Sequence, residues 1–374
     1  MEGPVSTNSI KFVSIDKLSE ERIVFPDLLR ILAIFFVILA HVGSIGFVRF
    51  PVSTFNWHVS NFYECLTRWS VPVFVMISGM FFLNPQKEIT FSKLYRKNIL
   101  RLVIALVFWG ILYRTIGVVQ FAIDSDVTFF AVIAKMVSEY SKLLFGPVWY
   151  HLWFLYMIIG LYILVPLIRI FTKNAAKKHY HYLFLIYAVF GSFLPLINDS
   201  LLFANSTLEI NFKIMELMGF TIYFILGFYL YKYEVTKRAR MWIYVVAVMS
   251  VIVQILGTYF ISYKVGIAHQ LLFEYSRPNV VIQTIAVYLF VKEFSRRLRF
   301  SARAKTVIST LSKFTFGMYL AHDLFNILFA KIGFTVTCVN PVLAIPLRTL
   351  ATFILSIAVV WMLDKVPVVK KYCI

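Results

Sequence analysis

Residues 25–47 read FPDLLRILAIFFVILAHVGSIGF, an apolar stretch that contains two ionisable side chains, Arg30 and His41. A helix that crosses a membrane needs about 20 mostly apolar residues, and ionisable groups are costly inside a bilayer unless they have work to do. The spacing from Arg30 to His41 amounts to about three helical turns and about 16 Å along the axis. We therefore predict a transmembrane helix with one polar stripe, which also passes near Asp27.

The rest of the chain is similarly apolar. Hydrophobic residues make up 60% of the 374 residues and charged residues 15%, whereas a soluble domain carries about 25% charged residues. Lipid offers no partner to free backbone groups, so helices must cross it rather than an open sheet. We predict an all-α fold, a polytopic membrane helix bundle of about ten transmembrane helices. The predicted spans are 26–48, 69–83, 99–121, 149–168, 182–198, 214–231, 241–261, 278–294, 314–333 and 341–363.

The net charge of +19 is unevenly distributed among the predicted loops. Lysine and arginine are dense in alternate loops, at 87–97, 169–178, 232–240 and 292–305, and sparse in the loops between them. This is the positive-inside pattern, so we predict that both termini are cytoplasmic. Because topology accounts for most of the positive charge, nucleic acid is not expected as a partner.

The predicted organisation is one membrane domain with short flanking segments. Residues 1–25 form a cytoplasmic N-terminal segment, 26–363 the ten-helix domain and 364–374 a cytoplasmic tail, in a multi-pass protein of the inner or plasma membrane. Segment 128–145 has a helical pattern interrupted by charges, which is typical of an amphipathic surface helix.

Sequence motifs for metals and nucleotide cofactors are absent. The chain has no Walker loop, dinucleotide fingerprint, CxxC pair or HExxH motif, and no metal is expected. Of the three cysteines, Cys65 and Cys338 fall in loops predicted to face outward. A disulfide between them is left open, since spacing alone cannot decide it.

The second span, RWSVPVFVMISGMFFL, begins with Arg68. Glu64 precedes it by one helical turn, which allows the two side chains to pair. Ser78 and Gly79 are small, and small residues in membrane helices usually permit close helix packing. The functional alternative is that they leave room for the chain of a ligand.

Polar residues at the starts of two further spans have two interpretations each. Arg96, Lys97 and Arg101 precede and begin the third span, where they either follow the positive-inside pattern or bind phosphates. His151 and Trp153 begin the fourth span, where they belong either to an interfacial aromatic belt or to a wall that faces a sugar ring.

The remaining candidates are inside predicted spans. His322 and Asp323 are costly there and either form hydrogen bonds between helices or belong to a site. Neighbours in a helix point about 100° apart, so these two are not expected to pair with each other. The structural alternatives for Arg30 and His41 are a snorkelling arginine and a buried, hydrogen-bonded histidine.

Several of these motifs together resemble the acyltransferase-3 family of integral membrane acyltransferases, in particular its surface-polysaccharide O-acetyltransferase branch. Arg30, ten further residues and His41 resemble the family's Arg-x10-His helix. Arg68 and residues 71–79 resemble its FFxxxSG motif, with Val75 in place of the second Phe.

Weaker matches extend the resemblance to residues 25–363. Residues 151–155 (HLWFL) and 319–322 (YLAH) resemble the family's fourth and ninth helices. One departure concerns the Arg-x-x-Arg pair that many members carry at the start of the third span. Asn98 occupies its first position if Arg101 is its second.

The resemblance implies transfer of an acyl group, acetyl above others, from cytosolic acyl-CoA to a hydroxyl of a cell-surface glycan or lipid-linked glycan precursor. Acetyl-CoA would be a co-substrate, and membrane lipids would surround the protein. The catalytic residues would be His41, Arg30 and Asp27. The acyl-CoA would contact Arg30, Arg96, Lys97, Arg101, Ser78 and Gly79. The acceptor would contact Arg68, Glu64, His151, Trp153 and His322.

Two other functions use the same residues differently. A transporter or flippase of a glycan or lipid would use intramembrane Arg and His to line a substrate path, without acyl transfer. A sensor or assembly protein would keep the fold without the activity. For the enzyme, the sequence leaves open whether His41 acts as a general base or as a nucleophile that carries the acyl group.

Overall fold

The computed structural model describes residues 23–124, 128–145, 148–203 and 219–374, and every regular element in these ranges is helical. Residues 1–22 of the predicted N-terminal segment and 214–218 of the predicted sixth span lie outside the described residues. The α-helices are α1 Phe25–Arg49, α2 Phe55–Cys65, α3 Ser70–Phe82, α4 Phe91–Lys93, α5 Leu100–Asp124, α6 Phe129–Phe145, α7 Trp153–Asn174, α8 Lys177–Ile186, α9 Leu194–Phe203, α10 Gly219–Lys232, α11 Lys237–Val265, α12 Pro278–Arg297, α13 Ala302–Lys331, α14 Pro341–Leu363 and α15 Pro367–Tyr372.

Seven helical stretches in the described part of the chain are long and apolar enough to cross a membrane. They are Phe25–Arg49, Phe55–Phe82, Phe91–Asp124, Trp153–Asn174, Lys177–Leu201, Lys237–Val265 and Pro341–Leu363. Helices α10, α12 and α13 occupy the other three predicted spans, but only 14 residues of α10 are described. Helices α12 and α13 contain polar residues that are buried in the bundle, including Lys292 and Asp323. These residues lower the mean hydropathy of both helices. The all-helical membrane fold is thus confirmed, while the count of ten and the side of each terminus stay predictions.

The outward faces of the long helices are apolar. Val107, Leu167, Val248 and Ile354 are all exposed, and each belongs to a different long helix. Exposure of so large an apolar surface to water is unfavourable, whereas its exposure to lipid is not. The surface of the bundle therefore fits a hydrocarbon environment.

Helix α1 is at the centre of the bundle, in contact with α2, α3, α12, α13 and α14. Leu29, Ala33 and Ile34 are completely buried on one side of it. Arg30 and His41 are only partly buried, because their side of the helix borders a cavity. The predicted polar stripe is therefore the face that α1 does not pack against its neighbours.

Two glycines allow α3 and α10 to pack with their backbones in contact. A Cβ atom at Gly79 would overlap the backbone carbonyl of Phe224, and one at Gly227 would overlap that of Met76. Such close approach is typical of small residues between membrane helices. The structure thus gives Gly79 a packing role.

Residues Leu94–Ile99, between α4 and α5, form a π-helix. Leu94 and Ile99 are buried, while Arg96 and Lys97 are exposed. The wider π turn changes which residues share a face before α5 begins. Asn98 lines the same cavity as Arg101, whereas Arg96 and Lys97 do not.

Segment 128–145 is helical, as predicted, and α6 packs on α5. Glu139 of α6 pairs with Arg114 of α5 and lies 3.2 Å from Lys135 of its own helix. The hydroxyls of Thr115 and Tyr140 are 2.8 Å apart. These polar contacts join the charged face of α6 to the bundle.

Two residues of the predicted cytoplasmic tail, Cys373 and Ile374, contact α5. Cys373 and Ile374 are buried after α15. The indole of Trp109 donates to the carbonyl of Cys373 at 2.9 Å, and Arg101 donates to the carbonyl of Ile374. Cys65 and Cys338, for which a disulfide was left open, are both free thiols.

Candidate active site

A cavity of about 680 Å³ lies beside α1 and is bordered also by α3, α5, α7 and α13. From α1 it is lined by Arg30, Val37, His41 and Ser44, with Ala40 beside them. Intervals of seven, four and three residues bring side chains to one helix face. The cavity therefore follows the polar stripe from Arg30 to His41, a separation of about 16 Å along the axis.

We call the part of the cavity lined by Arg30, Asn98, Arg101 and Lys313 the basic end. Arg30 is 3.2 Å from Asp27, and the hydroxyl of Ser312 donates to the same carboxylate oxygen at 2.7 Å. Asp27 thus joins α1 to α13 and orients Arg30 from behind the cavity wall.

Arg101 enters the basic end from α5, three residues after Asn98. Its guanidinium lies over the ring of Phe316, 5.5 Å from the centroid. Tyr162 of α7 is within electrostatic range of both Arg30 and Arg101, and Ser78 is next to Tyr162. Side chains from five helices therefore converge on the basic end.

The charge of the cavity lining has one sign. Among the described residues, its charged side chains are Arg30, Arg68, Arg101 and Lys313, and none is a carboxylate. Asp27 and Glu64 are buried behind Arg30 and Arg68. An anionic ligand is therefore favoured in this space.

We call the part of the cavity around His41 the histidine end. The rings of His41 and His322 are stacked at 5.0 Å, and His151 is 6.2 Å from His41 and 4.8 Å from His322. His41 and His151 line the cavity, whereas His322 is completely buried behind His41. Within the described residues, no His, Cys, Asp and Glu side chains form a group of three suited to a metal ion.

One contact defines the tautomer of neutral His322. Its Nδ1 is 2.6 Å from the backbone carbonyl oxygen of Tyr319. A carbonyl can only accept, so Nδ1 carries the hydrogen and Nε2 of the neutral ring is an acceptor. That Nε2 has no hydrogen-bond partner among the described residues.

A turn before α7 places His151 and Tyr150 next to His41. The Tyr150 ring meets His41 edge-on at 5.3 Å. Asp323 accepts from the Tyr150 hydroxyl at 2.5 Å and from the Trp149 indole at 2.6 Å. The hydroxyl of Tyr319 donates to the carbonyl of His151 at 2.5 Å. Helix α13 therefore fixes this turn through three hydrogen bonds.

Arg68 reaches the cavity from the turn between α2 and α3, within electrostatic range of His41. The predicted pair with Glu64 is confirmed. The guanidinium also lies 4.3 Å from the ring centroid of Phe273. Beyond it, Tyr275 lines the cavity and stacks on Trp153 at 5.8 Å.

The structure brings most of the predicted site residues to one cavity. Those that line it are Arg30, His41, Arg68, Ser78, Arg101, His151 and Trp153. Asp27, Glu64 and His322 lie directly behind them. Arg96 and Lys97 do not line the cavity, because they are on the exposed side of the π-helix, and Gly79 faces α10.

Several lining residues were not predicted from the sequence. Tyr150 precedes the predicted His151, and its contact with His41 was not expected. Tyr275 and Gln270 come from the segment between α11 and α12, which the sequence pattern did not connect with the other helices. Lys313 immediately precedes the predicted ninth span, where a basic residue is easily attributed to topology.

A comparison with protein-family models assigns the chain to a family. A model described as an acyltransferase domain matches residues 23–363, most of the chain. The protein belongs to the acyltransferase-3 family. Membership of this family indicates acyl transfer by a multi-pass membrane protein. No curated protein and no solved structure is similar enough to be matched to the chain.

All the residues of both cavity ends are within the range that matches the acyltransferase-3 family. The matched range includes Arg30 and His41 on α1 as well as Lys313 and His322 on α13. The cavity is therefore part of the acyltransferase domain and is its candidate active site.

Proposed function

We propose that this protein transfers an acyl group, acetyl in the first instance, from cytosolic acyl-CoA to a hydroxyl of a cell-surface glycan or lipid-linked glycan. The observation that carries the proposal is the cavity that connects Arg30 and Arg101 with His41. Its lining has four cations and, among the described residues, no carboxylate. Acyl-CoA has a matching shape, with its phosphates at one end of a long thin arm and the thioester at the other.

In this proposal the donor phosphates bind at the basic end. Arginine and lysine are suited to phosphate oxygens, and Arg30 is held in place by Asp27. The pantetheine arm then follows the stripe past Val37 and Phe74. The thioester reaches the histidine end, where the acceptor hydroxyl enters beside Tyr150 and Trp153.

His41 acts as a general base in the proposed reaction. It takes the proton from the acceptor hydroxyl while the oxygen attacks the thioester carbonyl. An oxygen–carbon bond forms, the carbon–sulfur bond breaks, and the CoA thiolate receives the proton from His41. Direct transfer of this kind requires both substrates at once, which a cavity with two ends permits.

Substitution of His41 tests the proposal. In membranes incubated with radiolabelled acetyl-CoA and the host's glycans, His41→Ala should lower labelled product by about 100-fold or more, the range of general-base contributions. His58→Ala is the control, because His58 is exposed and outside the cavity. Mass spectrometry of surface glycans from cells with and without the protein would identify the acetylated acceptor.

One result would reject the catalytic role of His41, and another would reject the function. The first is undiminished acetyl transfer by a folded His41→Ala protein. The other is movement of a labelled glycan across vesicle membranes without consumption of acetyl-CoA, which is the behaviour of a transporter. A labelled acetyl group recovered on His41 itself would show that His41 acts as a nucleophile and not as a general base.

A further inference from the structure

We propose that Lys313 binds a phosphate of the donor and is the third cation of its nucleotide subsite, after Arg30 and Arg101. This inference rests on the proposed function, because it takes acyl-CoA as the donor. The three cations come from three different helices, α13, α1 and α5, and line one end of one cavity.

The position of Lys313 is determined by its neighbours on α13. Ser312 donates to Asp27, the residue that also pairs with Arg30. Phe316, nearly one turn further along, lies beneath the guanidinium of Arg101. Lys313 is thus on the helical turn that links the partner of Arg30 to the ring that supports Arg101.

The charge of Lys313 is available to a ligand. Arg30 pairs with Asp27, and Arg101 donates to the carbonyl of Ile374. Lys313 is exposed and lines the cavity, and within the described parts of the chain it makes no ion pair or side-chain hydrogen bond. An ammonium on a flexible stem can follow a phosphate as a point charge.

The simpler explanation is that Lys313 only contributes to the positive-inside pattern. Arg303 allows the two explanations to be separated. It is on the same helix, exposed and basic, about 15 Å from Lys313 along the axis, and it does not line the cavity. A topological role would make the two residues equivalent, whereas a phosphate contact would not.

Equilibrium binding of CoA tests the inference without an acceptor. The wild type, Lys313→Gln, Lys313→Arg and Arg303→Gln would be titrated in lipid nanodiscs with CoA and with pantetheine, which lacks the phosphates. Lys313→Gln should raise the Kd for CoA about tenfold, the usual effect of losing one charge-assisted hydrogen bond. Its Kd for pantetheine should not change, and Lys313→Arg should retain most of the affinity for CoA.

Each other outcome overturns one specific claim. An unchanged Kd for CoA in Lys313→Gln rejects the phosphate contact and leaves the proposed function intact. Equal losses in Lys313→Gln and Arg303→Gln show a general surface potential and also reject it. Failure of the wild type to bind CoA rejects the donor in the proposed function itself. Should Lys313→Gln not fold, Lys313→Met takes its place, and an unchanged Kd for CoA in that variant would reject the contact.

Discussion

The carboxylate of Asp323 accepts a hydrogen bond of 2.5 Å from the hydroxyl of Tyr150, which connects α13 to the turn before α7. The ring of Tyr150 also makes a T-shaped contact with that of His41, with the centroids 5.3 Å apart. Asp323 itself does not line the cavity. It therefore acts on the histidine end by positioning the residues that do, and it is one residue away from His322, which stacks on His41.

Asp323→Asn should impair the acyl transfer step. A carboxylate can accept from both Tyr150 and Trp149, whereas an amide has one acceptor oxygen and turns a donor group toward the second partner. We expect kcat to fall by about 100-fold, since small displacements of reacting groups have effects of that size. The KM for acetyl-CoA should stay the same, because the donor phosphates bind at the basic end.

Asn326→Ala is the matched control for this substitution. Asn326 donates to the same carboxylate at 3.2 Å but does not line the cavity. Its replacement should change kcat by less than about threefold. A folded Asp323→Asn protein with the kcat of the wild type would show that the Tyr150 contact has no influence on the reaction.

Gly79→Ala should destabilise the protein strongly. The new Cβ would overlap the backbone of Phe224, which cannot move aside as a side chain can. Overpacking costs about 1–3 kcal/mol even where side chains relax, so we expect a loss of about 3 kcal/mol or more. Thermal unfolding followed by fluorescence-detected size exclusion would measure it.

Gly160→Ala provides the comparison, since a Cβ at Gly160 has no described atom from another part of the chain within 4 Å. Its melting temperature should equal or exceed that of the wild type, because alanine favours the helix. Equal melting temperatures for Gly79→Ala and Gly160→Ala would contradict the close contact of α3 with α10.

Replacing one member of the Glu64–Arg68 pair should cost more stability than replacing both. Glu64 is completely buried, and the side chain of Arg68 is 17% exposed. Removing one partner of a buried pair leaves an uncompensated charge and typically costs about 3–5 kcal/mol. Glu64→Gln with Arg68→Met should therefore cost less than either single substitution. Additive losses in a thermal double-mutant cycle would show that the two charges do not interact.

Glu234, in the loop between α10 and α11, should make the stability of the protein vary with pH in the acidic range. Burial raises the pKa of Glu234, but the hydrogen bond from Arg296 and the charge of Lys292 outweigh it and lower the pKa from 4.5 to about 2. A lowered carboxyl pKa stabilises the fold above pH 4.5, and this contribution is lost as the pH falls toward 2. Because Glu234 is half-exposed, we expect about 1 kcal/mol or less.

Glu234→Gln isolates this contribution. At neutral pH the substitution should lower the melting temperature, and the difference from the wild type should shrink as the pH falls from 4.5 toward 2. A difference that stays constant over this interval would show that the effect does not arise from the charge of Glu234.

The sequence predicted the first helix well because one local rule governs it. Helical periodicity alone places Arg30 and His41 on one side, and the structure has both on the cavity wall. Likewise, the spacing of Glu64 and Arg68 is one helical turn, and they pair. Where the relative position of two side chains depends on one regular helix, the sequence pattern is sufficient to predict it.

The relations that the sequence left open or missed depend on irregular backbone or on distant contacts. Counting α-helical turns cannot anticipate the π-helix that contains Arg96 and Lys97, and neither of them lines the cavity. Gly79 allowed two interpretations, and only the position of α10 distinguishes them. Tyr275 reaches the cavity because a segment far along the chain folds over Trp153, a relation that no local pattern contains.

The contact between Arg101 and Ile374 has a practical consequence for anyone who purifies the protein. A histidine tag or fluorescent protein joined to Ile374 would begin within reach of Arg101, at the basic end of the cavity. The first residues of the tag would compete with CoA for the guanidinium. The Kd measured for CoA would then be higher than that of the untagged protein. Enzymatic removal of the tag before the titration would separate the affinity of the protein from that of its label.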